Sequence, residues 1–510
     1  MLNEVPVRPL AVAGRVLEGF DESGRPIWHD GMVVEGGRVV YLGSRAREVA
    51  GPGATVLEVD GVVLPGFTDS HAHLSSLGLS LKTLDLRGVD SIGELKRRVA
   101  EAARKLGPGA WILGRGWDQE LFKEGRWPTR WDLDEAARSN PVLLVRVCGH
   151  AAVANTLALA AAGITDSTPD PPGGIIEREG GRVTGVLKES AVEMVLAVAQ
   201  RGSAEAMVRE GVEALLANGV TCVHAMSVRG EELAALVKLA ESGELRVRVR
   251  AYLDSSLPDP RPLSLGYLRV VGLKAFADGS LGARTAALRE PYSDDPGNSG
   301  VLLMDRRAIA RALEMAGRRG LQLAVHAIGD RALEEVVEAA KLVRGSLRVE
   351  HASVAPPDLL DQLAELGLPV SAQPRFIISD WWIVSRLGMR ARWAYPFRSI
   401  LQRGINLSFS SDAPVEPCNP WEGVYAAVTR GSLEGLPASR LWASEALRVE
   451  EAVRCYTEAA PRILGEAYGR LSPGYPADFI VVDGDPFSLP GGEVRRVRVL
   501  ATYVDGVRVR

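Results

Sequence analysis

The stretch LPGFTDSHAHL, residues 64–74, decides the predicted fold. An apolar run and a Pro-Gly turn lead into two histidines, His71 and His73, that are separated by one residue. Residues i and i+2 of a β-strand point to the same side, so both imidazoles would aim at one point. Because the chain has only seven histidines, the pair predicts a metal-binding position at the end of a buried strand.

Seven further apolar runs follow and alternate with helical patterns such as MDRRAIARALEMAGRRG. The runs are GVTCVHAM (219–226), RVRVRAYL (246–253), VVGLKAFADG (270–279), LQLAVHAIG (321–329), LRVEHAS (347–353), LPVSAQP (368–374) and INLSFSSDAP (405–414). Continuous apolar strands are buried on both faces, and their alternation with helices is typical of a parallel sheet. Eight such repeats favour a closed (β/α)8 barrel, of α/β class, over an open sheet.

Two regions interrupt this pattern. Short strand and hairpin signals fill the first 65 and the last 40 residues, which predicts one small β domain built from both termini (1–65 plus 460–510). The barrel would then comprise residues 66–84 plus 203–459. Roughly 115 residues separate the first two strands where a crossover needs a few dozen, so we predict that residues 85–202 form an inserted subdomain that covers the barrel mouth.

Composition restricts the class of protein. The chain has 510 residues, 46% of them hydrophobic and 24% charged, with a net charge of −4, which is typical of a soluble globular protein. This charge gives no reason to expect nucleic acid or an anionic membrane as a partner. No apolar run is long enough to span a bilayer, and the first residues do not resemble a signal peptide. We therefore predict a cytoplasmic protein.

Cysteines and amides add two weaker indications. Four cysteines lie far apart with no C-x-x-C pair, which favours isolated buried thiols over a disulfide framework. Only seven Asn and six Gln occur, and a scarcity of heat-labile amides indicates a thermophilic source.

Six polar side chains lie near the carboxyl ends of five of the proposed strands. They are His71, His73, Lys274, His326, His351 and Asp412. Singly each has an ordinary explanation: a packed core histidine, a lysine that extends to solvent at a strand end, or a helix-capping aspartate. Barrel active sites form at the carboxyl ends of the strands, so we expect all six to converge. Neutral imidazoles with a carboxylate suit zinc or a similar divalent metal.

With these residues in place, the sequence resembles the amidohydrolase superfamily of metal-dependent hydrolases. It closely resembles the branch called amidohydrolase family 3, which includes YtcJ-like proteins and N-substituted formamide deformylases. The matching stretches span nearly the whole chain in the family's order: LPGFTDSHAHL, GRGWDQE, VCGHAAVAN, GLKAFADGSLGARTAAL, LAVHAIGDRAL, VEHAS, SFSSDAPVEP and LSPGYPADFIVVDGDP. The resemblance implies a (β/α)8 barrel with a small β-sandwich made from both termini.

The resemblance also implies ligand roles. His71 and His73 would bind one metal ion together with Asp412, and His326 and His351 would bind a second. Lys274 would be carboxylated by CO2 to a carbamate that bridges both ions, because a lysine in an apolar barrel is easier to deprotonate. The alternative is an unmodified amine in a site that holds one ion.

The implied reaction is hydrolysis of a non-peptide carbon–nitrogen bond, in a linear or cyclic amide, by a metal-activated hydroxide. Asp412 would act as base and then as acid. His150, in VCGHAAVAN, would hydrogen-bond the substrate carbonyl or the oxyanion, or would be a structural residue of the insertion. The alternatives are a hydrolase of esters, lactones or phosphotriesters on the same site, and a non-catalytic binding barrel.

The substrate is expected to be a small molecule. Seven of the ten tryptophans fall in two segments, residues 111–131 and 381–393, which favours a hydrophobic or aromatic substituent or, equally, simple packing. Arg375, Arg386, Arg390 and Arg392 lie near the predicted mouth and either bind a substrate carboxylate or are solvated surface groups. The sequence leaves open whether the protein is a monomer or a homo-oligomer.

Overall fold

A computed structural model describes residues 8–146, 151–199, 203–257 and 259–510 of the chain. The chain forms two compact units. The first comprises residues 1–77 and 211–510, and the second comprises residues 78–210. The second unit contains most of the segment that the sequence marks as an insertion; its role as a cover of the barrel mouth stays a prediction.

Eight parallel strands form the barrel of the first unit. In chain order they are Phe67–Ala72, Val220–Val228, Arg248–Asp254, Leu268–Phe276, Gln322–Ala327, Leu347–His351, Val370–Ala372 and Leu407–Phe409, numbered here as barrel strands 1 to 8. Each pairs with the next in parallel register. The Ser70 hydroxyl donates to the Phe409 carbonyl (2.9 Å) and Ala72 forms a bridge with Ala413, which brings strands 8 and 1 together. The predicted α/β barrel is therefore confirmed, and it is nearly closed.

Burial explains why these segments are strands. Every residue of Phe67–Ala72 and of Leu347–His351 is buried, as expected for parallel strands that are covered on both faces. The turn into strand 1 requires a glycine, because a Cβ at Gly66 would lie 2.2 Å from the Thr221 hydroxyl. The Pro-Gly turn of the opening stretch thus lets strand 1 lie against strand 2.

Helices follow most barrel strands and place their apolar faces on them. The helix Arg306–Arg318 is typical: the Asp305 side chain accepts from the amide of Ala308 at its start, and Ile309 and Leu313 are buried. The α-helices within the described residues are Ala46–Ala50, Leu74–Lys82, Ile92–Leu106, Arg130–Ala136, Thr156–Ala161, Ser190–Leu196, Ala204–Ala217, Gly230–Glu241, Arg306–Arg318, Asp330–Leu342, Pro357–Glu365, Phe376–Ser379, Ile383–Leu387, Phe397–Gln402, Pro420–Thr429, Ser439–Trp442, Val449–Thr457 and Ala459–Leu464.

Strands from both ends of the chain form one seven-stranded sheet. Its order is Val507–Arg508, Val499–Val504, Phe479–Val482, Thr55–Pro65, Leu10–Phe20, Pro26–Glu35 and Arg38–Leu42. The N-terminal and C-terminal segments of the chain join where Phe479–Val482 pairs antiparallel with Thr55–Pro65. Side chains of its own strands, among them Val12, Met32, Val63 and Phe479, form a buried apolar cluster.

The second unit has its own six-stranded mixed sheet. Its order is Gly174–Glu179, Arg182–Glu189, Ala151–Ala154, Val142–Arg146, Ile112–Trp117 and Leu84–Asp85. Two clusters of buried apolar side chains lie in this unit, one of them around Trp117 and Leu144. The second unit thus has a sheet and apolar clusters of its own, and the bounds of an inserted subdomain stay a prediction.

Two further sequence expectations can be compared with the described residues. Cys222, Cys418 and Cys455 are free and buried, as expected for isolated thiols, whereas Cys148 lies outside the described residues. Within the ranges that the structure describes, no helix has both the length and the apolar character to cross a bilayer.

Candidate metal centre

The predicted ligands lie at one end of the barrel and come together. His71 lies in strand 1, Lys274 in strand 4, His326 in strand 5 and His351 at the end of strand 6. The imidazole centroids of His71 and His351 are 4.9 Å apart, and those of His326 and His351 are 4.5 Å apart. Three histidines from strands that are distant in sequence therefore form one cluster.

His73 and Asp412 complete the cluster from just beyond strands 1 and 8. One carboxylate oxygen of Asp412 lies 3.4 Å from Nε2 of His71 and 3.2 Å from Nε2 of His73. The Asp412 amide donates to the His71 carbonyl (2.8 Å), which fixes the segment after strand 8 against strand 1. Asp412 has a φ of 57° and His351 a φ of 75°, and strained backbone of this kind is concentrated at functional sites.

Three of these residues could share a single ion. Ligand atoms of His71, His351 and Asp412 all lie within 4.8 Å of one another. This group combines residues that the sequence assigned to two different ions, because His351 was expected to bind with His326. The two predicted positions must therefore lie side by side.

Hydrogen bonds fix which nitrogen each histidine offers. Nδ1 of His71 lies 2.6 Å from a carboxylate oxygen of Glu350, and Nδ1 of His351 lies 2.7 Å from the Gln373 side-chain oxygen. The side-chain nitrogen of Gln373 donates to the Ser410 hydroxyl (2.9 Å), so its oxygen faces His351. Both of these oxygens can only accept. Both rings therefore donate from Nδ1 and keep a free lone pair on Nε2.

His326 shows the opposite arrangement. Its Nε2 lies 2.9 Å from the backbone carbonyl of Gly279, which accepts only, so the lone pair of His326 is on Nδ1. Asp278 lies 3.4 Å from the same Nε2 and accepts from the amides of Ile328, Gly329 and Ala287. Outer contacts that orient each ligand are a general property of metal sites.

All three buried histidines are held in the neutral form that binds metal. Burial, reinforced by the nearby Lys274 charge, lowers the pKa of His326 to about 3. Burial also lowers the pKa of His71 and of His351 well below the usual value, with further contributions from neighbouring positive groups. Because only the neutral imidazole coordinates a metal, these residues need not lose a proton before binding at pH 7.

Lys274 is a buried amine whose Nζ lies 4.9 Å from the centre of the Phe276 ring. Its side chain is buried, and Nζ has no hydrogen-bond partner within the described part of the chain. Burial lowers its pKa to about 8, although Glu350 and Asp412 act in the opposite direction. A buried polar atom without a partner is costly and calls for an explanation. A bound group at Nζ would supply one.

Aromatic rings border the cluster. The Phe276 ring lies 5.3 Å from that of His326 and is 40% exposed, and the Phe376 ring lies nearly parallel to that of His351 at 6.4 Å. An apolar substrate group could lie against such rings. The tryptophan segments behave differently: Trp117 and Trp127 pack together in the second unit (5.4 Å).

The arginines near the mouth have partners within the protein. Arg386 forms an ion pair with Asp294, and Arg390 donates to the Glu290 carbonyl (2.8 Å). Nε of Arg375 lies 3.7 Å from Glu422 and 4.0 Å from Glu416. The contacts of Arg386 and Arg390 favour a role in loop structure over the binding of a substrate carboxylate. Nε and Nη1 of Arg375 are buried and have no hydrogen-bond partner among the described residues, so its contacts do not decide between the two roles.

His150 and His224 are two further histidines of the chain. His150 lies outside the described residues, so its role stays a prediction. His224 lies in the middle of strand 2 (Val220–Val228) and is fully buried.

Sequence reasoning missed the side chains that hold the ligands. Among them are Glu350, Gln373 and Asp69; the last accepts from the amide and hydroxyl of Ser411 and from the His71 amide. Burial raises the pKa of Asp69 to about 6. Glu350 had a signal in the sequence, since RVEHAS places charged residues at alternate positions of an otherwise apolar strand.

Comparisons with known proteins agree with this geometry. A model of the Amidohydrolase family matches residues 60–510. The chain is 34% identical to YtcJ of Bacillus subtilis (strain 168), whose name assigns it to the amidohydrolases, over 94% of this chain and 98% of that protein. It is 30% identical to the N-substituted formamide deformylase of Arthrobacter pascens, over 93% of this chain and 94% of the relative.

A solved structure also resembles this chain along almost its whole length. An uncharacterised metal-dependent hydrolase from Pyrococcus horikoshii OT3 superposes with a TM-score of 0.84 at 36% identity, covering 95% of this chain and 99% of the other. These relatives match the chain along almost its whole length, and its barrel has a cluster of histidines and an aspartate at the carboxyl end. The chain therefore belongs to the amidohydrolase family of metal-dependent hydrolases.

Proposed function

We propose that the protein hydrolyses a non-peptide carbon–nitrogen bond in a small linear or cyclic amide. The observation that carries the proposal is the joint presence of neutral imidazoles, the Asp412 carboxylate and the orphaned Lys274 amine in one cluster. The name of the deformylase relative supports a carbon–nitrogen bond as the target.

The donor set suits a divalent cation such as zinc. His71, His73 and Asp412 would hold one ion, and His326 with His351 a second, while His351 is close enough to share the first. A bound divalent cation would lower the pKa of water to about 7 and polarise the substrate carbonyl.

Asp412 would carry the proton transfer. Its carboxylate is largely buried but faces the cluster through the oxygen near His71 and His73. It would accept the proton of the attacking water and then donate it to the leaving nitrogen, as a single positioned carboxylate can do in both steps.

Lys274 would be carboxylated. A pKa of about 8 leaves a fraction of the amine neutral near pH 7, and only the neutral amine adds CO2. The resulting carbamate would exchange an unpaired buried amine for an anion with two oxygens beside the ligands. If Lys274 stays an amine, the cluster keeps one cation position.

The first experiment combines metal analysis with a hydrolysis screen. Purified protein should contain about one or two divalent ions per chain, and N-substituted formamides and cyclic amides should be hydrolysed. Chelation should abolish the activity and zinc should restore it. Hydrolysis of esters, lactones or phosphotriesters alone would replace the proposed bond class, whereas metal-free protein that is inactive after zinc addition would favour a binding barrel.

A variant tests Asp412 directly. Asp412→Asn removes the proton acceptor but keeps an oxygen ligand, so turnover should fall by at least about a hundredfold while most of the metal stays bound. Asp361→Asn is the matched control, because Asp361 is exposed and pairs with Arg403 on the outside of the barrel. Retained activity in Asp412→Asn would contradict the assignment.

A further inference from the structure

A chain of buried polar side chains runs from the cluster into the barrel interior. Glu350 and Arg348 point inward from strand 6, and both are fully buried. One carboxylate oxygen of Glu350 lies 2.6 Å from Nδ1 of His71, and the other lies 2.5 Å from Nε of Arg348. Both oxygens of Glu350 are therefore in use.

Arg348 is held on all sides. Its Nη1 lies 2.7 Å from Nδ1 of His224, its Nη2 donates to the Ser70 carbonyl (2.8 Å), and its guanidinium lies 4.7 Å from the centre of the Tyr252 ring. Since a guanidinium only donates, Nδ1 of His224 must be the acceptor. His224 is therefore neutral with its proton on Nε2, which lies 3.3 Å from the Tyr468 hydroxyl.

The direction of each hydrogen bond among these buried polar side chains follows from Arg348. Because Arg348 cannot accept, Glu350 must accept from it, and Glu350 as a carboxylate must also accept from His71. His71 then carries its proton on Nδ1 and turns its Nε2 lone pair towards Asp412. His71 and His224 are thus neutral rings of opposite tautomer, on either side of one ion pair.

We propose that Glu350, Arg348 and His224 are positioning residues that fix the Nδ1–H tautomer of His71 and thereby set the cation affinity of its Nε2. This inference rests on the proposed metal centre for the cation and on the observed contacts alone for the tautomers. Barrel interiors are usually filled by branched apolar side chains, and a buried ion pair is weak evidence of stabilisation. A role in orienting His71 explains why the Arg348–Glu350 ion pair lies in contact with this predicted ligand.

Glu350→Gln gives a specific outcome under this proposal. Arg348 can only donate, so the new amide oxygen must face Arg348 and the amide NH2 must face Nδ1 of His71. His71 then becomes the acceptor at Nδ1 and carries its proton on Nε2, which blocks the lone pair that would bind the cation. A residue that only packed the barrel would not reverse this tautomer.

The tautomers can be read without any variant. With only seven histidines in the chain, ring-15N histidine labelling and long-range 15N–1H correlation spectra of the chelated protein should resolve each ring. His71 should be the Nδ1–H tautomer and His224 the Nε2–H tautomer. A charged ring or the reverse tautomer at either position would overturn the proposal.

Cation affinity is then measured by competition with a chromophoric zinc chelator. Glu350→Gln should lose about 10- to 100-fold in affinity, the range found for outer contacts of metal sites, and its His71 should appear as the Nε2–H tautomer. Arg348→Met in the Glu350→Gln background frees the amide oxygen to face His71, so the double variant should regain the Nδ1–H tautomer and part of the affinity.

Glu466→Gln is the matched control. Its carboxylate is largely buried and bonded to an arginine, Arg250 (2.7 Å), but no described contact joins it to the predicted ligands. It should bind zinc as the parent does. Unchanged zinc affinity in folded Glu350→Gln would overturn the inference and leave the proposed function standing, whereas a parent protein that binds no zinc would overturn both.

Discussion

Replacing Lys274 by methionine tests the electrostatics of the centre in the chelated protein. Methionine is unbranched and similar in length to lysine, so it fills the same space without an amine. Lys274 Nζ is buried and has no hydrogen-bond partner within the described residues. The substitution should therefore stabilise the chelated protein, in contrast to most substitutions in a buried core.

The size of the gain follows from the pKa of Lys274. Burial lowers it from 10.5 to about 8, and the difference corresponds to about 3 kcal/mol in favour of the unfolded state at pH 7. Because the unfolded chain binds more protons between about pH 8 and pH 10.5, the free energy of unfolding of the parent protein rises with pH in that window. The gain from Lys274→Met should be about 3 kcal/mol at pH 7, about 2 kcal/mol at pH 9 and under about 1 kcal/mol at pH 10.

The assay is reversible denaturant unfolding of parent and variant at each pH, in chelator and in buffers freed of CO2. Lys341→Met is the control, because Lys341 is on the surface and bonds Glu338 and Gln362; its effect should be small at every pH. A Lys274→Met effect that does not decline from pH 7 to pH 10, or a loss of stability at pH 7, would refute a buried amine with a lowered pKa.

Three further predictions concern the same cluster. Protein loaded with zinc and 13C-bicarbonate should show a bound carbamate resonance in 13C spectra that is absent from Lys274→Met; its absence from the parent would exclude the modification. Phe276→Ala should raise KM for an aryl-substituted formamide roughly three- to tenfold, the range of one aromatic contact, with zinc content unchanged; an equal effect on an alkyl formamide would contradict an aromatic subsite. Zinc at about a hundredfold above its dissociation constant should stabilise the parent by about 3 kcal/mol, whereas His71→Ala should gain far less; equal gains would place the ion elsewhere.

The barrel and the cluster of polar side chains at its carboxyl end were predictable because they follow local rules. Buried parallel strands are continuous apolar runs, and polar residues at their carboxyl ends stand out against that background. His71, His326 and His351 were found in this way, and the structure brings them together. Asp412 was found as well, although strand 8 ends at Phe409 and a residue with positive φ places the carboxylate.

The contacts that orient the ligands were not predictable. Glu350 and His71 are 279 residues apart in sequence, and no local pattern indicates which carboxylate will lie beside which imidazole. The end of strand 2 was not predictable either. The apolar run ends at Met226, whereas strand 2 continues for two more residues to Val228, with an irregular register between Ala225 and Val228.

The most direct test is anomalous diffraction at the zinc absorption edge from a crystal grown with zinc and bicarbonate. We predict one anomalous peak beside the His71 and His73 imidazoles and the Asp412 carboxylate, and a second beside His326 and His351. Density should extend from Lys274 Nζ between the two peaks. Fully occupied zinc elsewhere in the molecule, with no anomalous peak at these six side chains, would contradict the assignment of a metal-dependent hydrolytic centre.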